Sequence, residues 1–374
     1  MGRCGGVGDP VRILHVITKG DVGGAQTHVV ELAAAQRRGG HEVVVLAGCD
    51  GDAMARVRTA GVQVEIVPSL GRAVAPTADH AAVGDLGSAF RRIRPDIVHT
   101  HSSKGGLLGR IAARLEKIPS VYTAHGFPFQ AGAPRLQRVL SFAGEWVGGH
   151  LGDAVICLTD SEAELARRSH VAPAESIVVI PNGLPDTLHV RTHRTSEVLR
   201  LLMVARFSPP KRQADLIRAL SALSDLPWTL SFVGDGAHLA ECEALAREVI
   251  PGRVEFLGHR DDVEELTATF DVALLWSGYE GMPISLMEAM RARLCCVASD
   301  LPGVRELFGK PPVGPLVATD RQLERELREL LVNPTAVDAG GAAARRRYES
   351  AFTIEHVLRG VDEVYDKVLT RRPR

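Results

Sequence analysis

Short runs of β-branched and other apolar residues alternate with amphipathic stretches along almost the whole chain, and that alternation leaves few architectures open. Parallel strands need crossover connections, and a helix in each crossover must cover a sheet face, so repeated strand–helix–strand order specifies an α/β fold with doubly wound sheets. In the first half, strands are predicted at 12–17, 42–46, 62–66, 96–100, 120–123, 154–157 and 176–180. The second half repeats the pattern at 200–205, 229–233, 254–257, 272–275 and 296–298, with helices beginning near Lys211, His238, Asp262 and Pro283. Between the halves, Pro181-Asn182-Gly183-Leu184-Pro185 stacks turn formers ahead of a polar stretch that runs to Glu197. At roughly 150 residues per domain, 374 residues hold two cores. The expected domains are 1–185 and 186–350, with a closing helix in 351–374 that packs back toward the first domain.

Charge and cysteine usage narrow the function classes. Lys and Arg total 44 against 45 Asp and Glu, so the chain lacks the basic surplus of a nucleic-acid binder. Only six of the basic residues are lysine, a bias typical of GC-rich bacterial coding. The six cysteines, Cys4, Cys49, Cys157, Cys242, Cys295 and Cys296, show no CxxC spacing and read as reduced thiols of a cytoplasmic protein. No apolar run approaches the ~18 residues of a membrane span, and the first residues lack a signal-peptide pattern, so any membrane contact is expected to be peripheral, at the inner face.

Doubly wound sheets bind ligands at the carboxyl ends of their strands, which directs attention to the loops there. The first such loop, Thr18 to Ala25, carries Gly23 and Gly24 and runs into a helix whose free N–H groups suit an anion or a sugar hydroxyl. After the strand at 200–205, Arg206 and Lys211 offer a guanidinium fork and a point charge to a diphosphate. Glu280-Gly281-Met282-Pro283-Ile284-Ser285-Leu286-Met287-Glu288 joins an apolar strand to a helix beginning near Pro283. It sets one carboxylate over the helix start and another within the helix, facing a ribose diol, and leaves the amides of Gly281, Met282 and Ile284 free for hydroxyls or phosphate oxygens. Asp50-Gly51-Asp52 has the form of a metal-binding DxD but follows the second strand, where a surface turn is expected. In His99-Thr100-His101-Ser102-Ser103-Lys104 no third ligand stands at zinc spacing; His101, Ser102 and Lys104 are candidates for an acceptor-side wall.

Taken in order, Gly23-Gly24, Pro181-Asn182-Gly183, Arg206 with Lys211, Val233-Gly234-Asp235-Gly236 and Glu280 with Glu288 resemble the retaining glycosyltransferases of family 4, and the stretch His99–Phe129 most resembles bacterial polysaccharide-assembly members. The resemblance is collinear from about Arg12 to Tyr365. It implies the GT-B fold, two Rossmann-like domains facing across a cleft, with the acceptor bound by the first and a nucleoside diphosphate sugar by the second. It further implies that Glu288 holds the ribose, that Glu280 contacts the transferred sugar, and that Arg206 and Lys211 clamp the diphosphate. His125 in Thr123-Ala124-His125-Gly126-Phe127 matches the cleft histidine near the anomeric centre. Gly23, Gly24, Gly234, Gly281, Met282, Pro283 and Ile284 match donor-binding positions, and Arg260 of Gly258-His259-Arg260 lies where the base is held. The sequence departs from the family at Arg293 and Cys295, which stand where Gly usually ends the helix and Pro opens the next strand, and at Pro302-Gly303, where two glycines are common.

The implied activity is transfer from a UDP- or GDP-sugar to a glycan or lipid-linked acceptor in cell-surface glycan synthesis, with no metal and no other cofactor. A nucleotide-sugar 2-epimerase of the same fold, a non-catalytic partner and a natural-product glycosyltransferase are the alternatives. Residues 134–147 place Leu136, Val139, Leu140, Ala143, Trp146 and Val147 at helical spacing behind Arg135 and Arg138. This amphipathic face is expected to pack on the sheet; a docking face for an anionic membrane is the other reading.

Overall fold

Both predicted sheets form, and every strand pairs parallel to its neighbours. The computed structural model describes residues 10–21, 23–71, 75–127, 129, 135–192 and 197–371. Cys4, the terminal residues read for a signal peptide, Pro134, part of the polar stretch before Glu197, and 372–374 lie outside them. The chain divides into two compact units, Met1–Gly183 with Ile354–Arg374, and Leu184–Thr353.

In the first unit the strands are β1 (Arg12–Ile17), β2 (Glu42–Ala47), β3 (Gln63–Ile66), β4 (Ile97–His101), β5 (Ser120–Ala124), β6 (Ala154–Cys157) and β7 (Ile177–Val179). Their spatial order is β3-β2-β1-β4-β5-β6-β7, so the winding direction reverses between β1 and β4. At such a switch point two loops leave adjacent strand ends in opposite directions and open a crevice. The helix Ile354–Arg371 buries Val357, Val361, Val364, Tyr365 and Val368 against a sheet face that includes Ile13, Ile97, Val121 and Ile156. Each such side chain contributes on the order of 1.5–3 kcal/mol when fully buried.

The second unit has β8 (Leu199–Val204), β9 (Trp228–Val233), β10 (Val254–Phe256), β11 (Val272–Leu275), β12 (Cys295–Ser299) and β13 (Leu316–Val317). The order is β10-β9-β8-β11-β12-β13, with its switch point between β8 and β11. Sequence reading did not place β13 or the helices Pro302–Phe308, Asp320–Val332 and Pro334–Ala351. A two-residue strand shows no period. The two longer helices do carry signals, in the Thr319 and Asn333 side chains that accept from the amides of Gln322 and Ala336. Arg293, at the departure noted above, has φ +65, the left-handed conformation that glycine takes without strain.

One expectation is overturned. The helix Arg135–Leu151 does not bury its large apolar residues: Leu136 is 72% exposed, Val139 and Leu140 64%, and Trp146 45%. It packs instead through Glu145, Gly148 and Gly149. A Cβ on Gly149 would lie 2.0 Å from the Val171 carbonyl oxygen, so glycine permits a backbone-to-backbone approach that turns the apolar stripe outward. Among the described residues no helix is long and apolar enough to cross a membrane. Cys157, Cys242, Cys295 and Cys296 are buried free thiols and Cys49 is exposed.

Candidate active site

In the second unit the predicted residues gather at the β8/β11 switch point. The loop after β8 is laced to the loop after β11: the Arg212 amide donates to the Trp276 carbonyl at 3.0 Å, and the Gly278 amide to the Pro210 carbonyl at 2.9 Å. This lacing brings Lys211 Nζ onto Glu280 Oε1, in a pair only 19% and 10% exposed. Arg206 is exposed at the strand end, and its carbonyl accepts from the Gln213 side chain at 2.9 Å. Gly234 follows β9, and its amide donates to the Gly258 carbonyl at 2.8 Å. Arg260 sits apart from the pair, fork to fork with Asp262 on the surface.

The helix after β11 runs Ile284–Arg291, with Pro283 at its N-cap and Gly281 and Met282 in the approach. Glu288 lies in its second turn and is partly buried. Gly303, in the first turn of Pro302–Phe308, presses on this approach: a Cβ there would fall 1.4 Å from the Gly281 carbonyl oxygen. At the Pro302-Gly303 departure, then, glycine is kept where the backbone contact requires it, and proline takes the first helical position, which it suits.

The first unit places its residues at the β1/β4 switch point. Gly23 caps the helix Gly24–Arg38. Ser102 bonds the Thr18 hydroxyl at 3.0 Å, and Lys104 pairs with Asp79. His101 is fully buried, so any part it has in an acceptor wall is indirect. It belongs to a cluster of histidines. His15 Nδ1 lies 3.0 Å from His101 Nε2, and His101 Nδ1 lies 3.3 Å from His125 Nε2. His15 Nε2 is 2.7 Å from Gln36 Oε1, while Gln36 Nε2 donates to the Tyr365 hydroxyl at 3.3 Å. His99 bridges that hydroxyl (2.6 Å) and Thr123 Oγ1 (2.7 Å). His28, on the helix Gly24–Arg38, lies beside Asn182 and packs edge-on to His125. Asp50 and Asp52 flank a surface turn in which Asp50 is tied to Arg58.

Burial penalises the imidazolium form and pulls all five pKa values down, His15 and His28 to about 4 and His99, His101 and His125 well below the ordinary value. The cluster is therefore neutral near pH 7. Sequence reading named His125 and His101, weighed His99 only as a zinc ligand, and missed His15, His28, Gln36 and Tyr365. It found no third ligand near His99 and His101, yet the fold supplies His15 beside both, and His28 and His125 beside His101, with nitrogen atoms within 4.8 Å in each triad. The signal was present: His99 and His101 are two apart on one strand, and His15 is in register with His99 on the next.

Residues 23–183 match the family described as glycosyl transferase 4-like domain, and residues 199–333 match glycosyl transferases group 1. The chain is a glycosyltransferase of the GT-B type. Over 260 residues, 65% of this chain and 67% of the relative, it is 28% identical to the Escherichia coli UDP-Gal:alpha-D-GlcNAc-diphosphoundecaprenol alpha-1,3-galactosyltransferase. It is 25% identical to the Bacillus anthracis N-acetyl-alpha-D-glucosaminyl L-malate synthase over 79% of this chain and 80% of that one. The glycosyltransferase also shares its fold with Anabaena Alr3699/HepE solved with UDP-glucose, at a TM-score of 0.82 and 20% identity, covering 96% of this chain and 100% of that one.

Proposed function

We propose that this glycosyltransferase retains anomeric configuration and moves a sugar from a UDP- or GDP-sugar to a glycan or lipid-linked acceptor in cell-surface polysaccharide or glycoconjugate synthesis. The contact of Lys211 with Glu280 at the β8/β11 switch point carries the reading. It fixes a cation and a carboxylate next to the helix start at Ile284, so that one site offers charge to a diphosphate and a hydrogen-bond acceptor to sugar hydroxyls. Arg206 and Lys211 stabilise the charge that develops on the leaving diphosphate, without a metal ion. Glu288 takes the ribose hydroxyls, and Glu280, oriented by Lys211, positions the transferred sugar. The leaving diphosphate accepts the acceptor's proton on the same face of the sugar, and His125 is the first unit's candidate for a part in transfer. UDP and UDP-glucose in the Anabaena structures support a uridine donor, and the diphosphoundecaprenol in the E. coli relative's name supports a lipid-linked acceptor.

A panel of UDP- and GDP-sugars offered with a lipid-diphosphate-linked acceptor, with NMR of the product linkage, tests the proposal. An α-product from an α-donor, formed in EDTA, is expected. An inverted product removes retention, and absence of any donor turnover removes the enzyme reading.

The outward face of Arg135–Leu151 favours acceptor capture at a membrane. Beside it a groove of about 580 Å³ is lined by Phe129, Arg135, Arg138, Val139, Phe142 and Ser169, joining apolar walls to two cations. The protein is expected to sediment with anionic liposomes at low salt, and Arg135→Glu with Arg138→Glu to release it at unchanged Tm. Wild-type protein left in the supernatant refutes direct docking.

A further inference from the structure

The histidine cluster can hold its protons in two orders, and one side-chain amide chooses between them. Neutral imidazole carries a proton on one nitrogen and a lone pair on the other, so a chain of neutral rings is directional. Gln36 Oε1 can only accept, so His15 carries its proton on Nε2 and leaves Nδ1 bare. His101 must then donate from Nε2 to His15, which leaves its own Nδ1 to accept from His125 Nε2. The other end of the amide sets a second chain in the same way. Gln36 Nε2 donates to the Tyr365 hydroxyl, so that hydroxyl gives its proton to His99 Nδ1, and His99 donates from Nε2 to Thr123. A reversed amide would send every one of these protons the other way. His125 would then carry its proton on Nδ1.

We infer that Gln36 fixes the proton order of this chain so that His125 presents a bare Nδ1, which makes Gln36, His15 and His101 positioning residues for His125. The partners along the chain are neutral, and burial keeps each ring at one proton, so among these hydrogen bonds the amide is the one group with a fixed donor end and a fixed acceptor end. A bare Nδ1 accepts a hydrogen bond from a substrate hydroxyl; a protonated one would donate to a hydroxyl or phosphate oxygen instead. The use of that nitrogen in transfer rests on the proposed function, whereas the proton order does not.

The test is long-range 1H–15N NMR of the full-length protein with 15N-labelled histidine at pH 7, assigned with His125→Asn and His101→Gln. His15, His99, His101 and His125 are all expected in the Nε2-protonated form. Tyr365→Phe touches neither His101 nor His125, yet removes the acceptor that holds the amide, so His125 is expected to become a mixture of tautomers. Gln36→Leu should do the same, and the conservative Tyr365→Phe suffices if that variant does not fold. Turnover should fall in proportion to the Nδ1-bare fraction at unchanged donor KM, because only that fraction is competent. An Nδ1-protonated His125 in the wild type, or an unaltered His125 signal in Tyr365→Phe, overturns the inference. So does a spectrum that changes on adding EDTA, since a bound cation would then set the order. Tautomers that shift while turnover does not would uphold the proton order and refute the role of His125 in transfer.

Discussion

Acidification from pH 7 to pH 5 should weaken the first unit selectively. His15 and His28 have pKa values depressed from 6.5 to about 4 by burial, so the unfolded chain binds protons that the folded unit refuses. Stability from each ring is complete above the unfolded value and is lost as pH falls from about 6.5 through about 4. Between pH 7 and pH 5 the loss is about 1.8 kcal/mol per ring, or roughly 3–4 kcal/mol for the two. His99, His101 and His125 shift in the same direction and add to it. Against a typical domain stability of about 5–15 kcal/mol this is a large fraction. Because two units make whole-chain melting a poor two-state measure, hydrogen exchange by mass spectrometry is the suitable assay. After correction for intrinsic rates, peptides from β1, β4 and β5 should exchange on the order of 10²-fold faster at pH 5. Peptides from β8 and β11 should change less, and His28→Gln should reduce the slope by about one ring's share. Equal acceleration in both units, or no change in β1 and β4, refutes the reasoning.

Lys211→Ala should weaken UDP binding by about 1–3 kcal/mol in calorimetry while uridine binding is nearly untouched, on the proposal that Lys211 directs its charge at the diphosphate. Glu288→Gln should chiefly raise donor KM, and Glu280→Gln chiefly lower kcat, on the proposal that one holds the ribose and the other positions the transferred sugar; steady-state kinetics with the preferred donor separate the two. Arg293→Gly should raise stability by about 0.5–1 kcal/mol, since glycine relieves the left-handed backbone at φ +65 but loses more entropy on folding. Thermal unfolding checks it, and an unchanged or lower Tm would show the arginine side chain to be worth more than the strain.

The strands were legible because both faces of a parallel sheet are covered, so that runs such as those of β2, β6 and β11 are nearly continuous in apolar residues. Their ends shifted by only a residue or two, as at β8 and β12. The helix Arg135–Leu151 shows where periodicity fails. An apolar stripe marks a helix and its face but says nothing of what the face meets, and the same spacing serves a sheet or a lipid surface. The informative residues lay on the opposite side, where Gly148 and Gly149 allow the close approach.

The residues proposed for the donor were readable because each belongs to a contiguous loop: Lys211 and Glu280 needed only the adjacency of β8 and β11 to meet. The histidine cluster needed more. Its rings come from β1, the helix Gly24–Arg38, β4 and the segment after β5, and its ordering amide is answered by a hydroxyl near the chain's end. No single window contains two ends of that circuit. The segment Pro181-Asn182-Gly183, which turn propensity marks only as a boundary, adjoins it, because Asn182 is buried at 2% exposure beside His28. A substitution there would read in sequence as a change of linker and act in the structure on the ring edge-on to His125. Asn182→Ala would thus take a buried amide from beside the His28 ring, a loss on the order of 1–3 kcal/mol felt in the first unit alone.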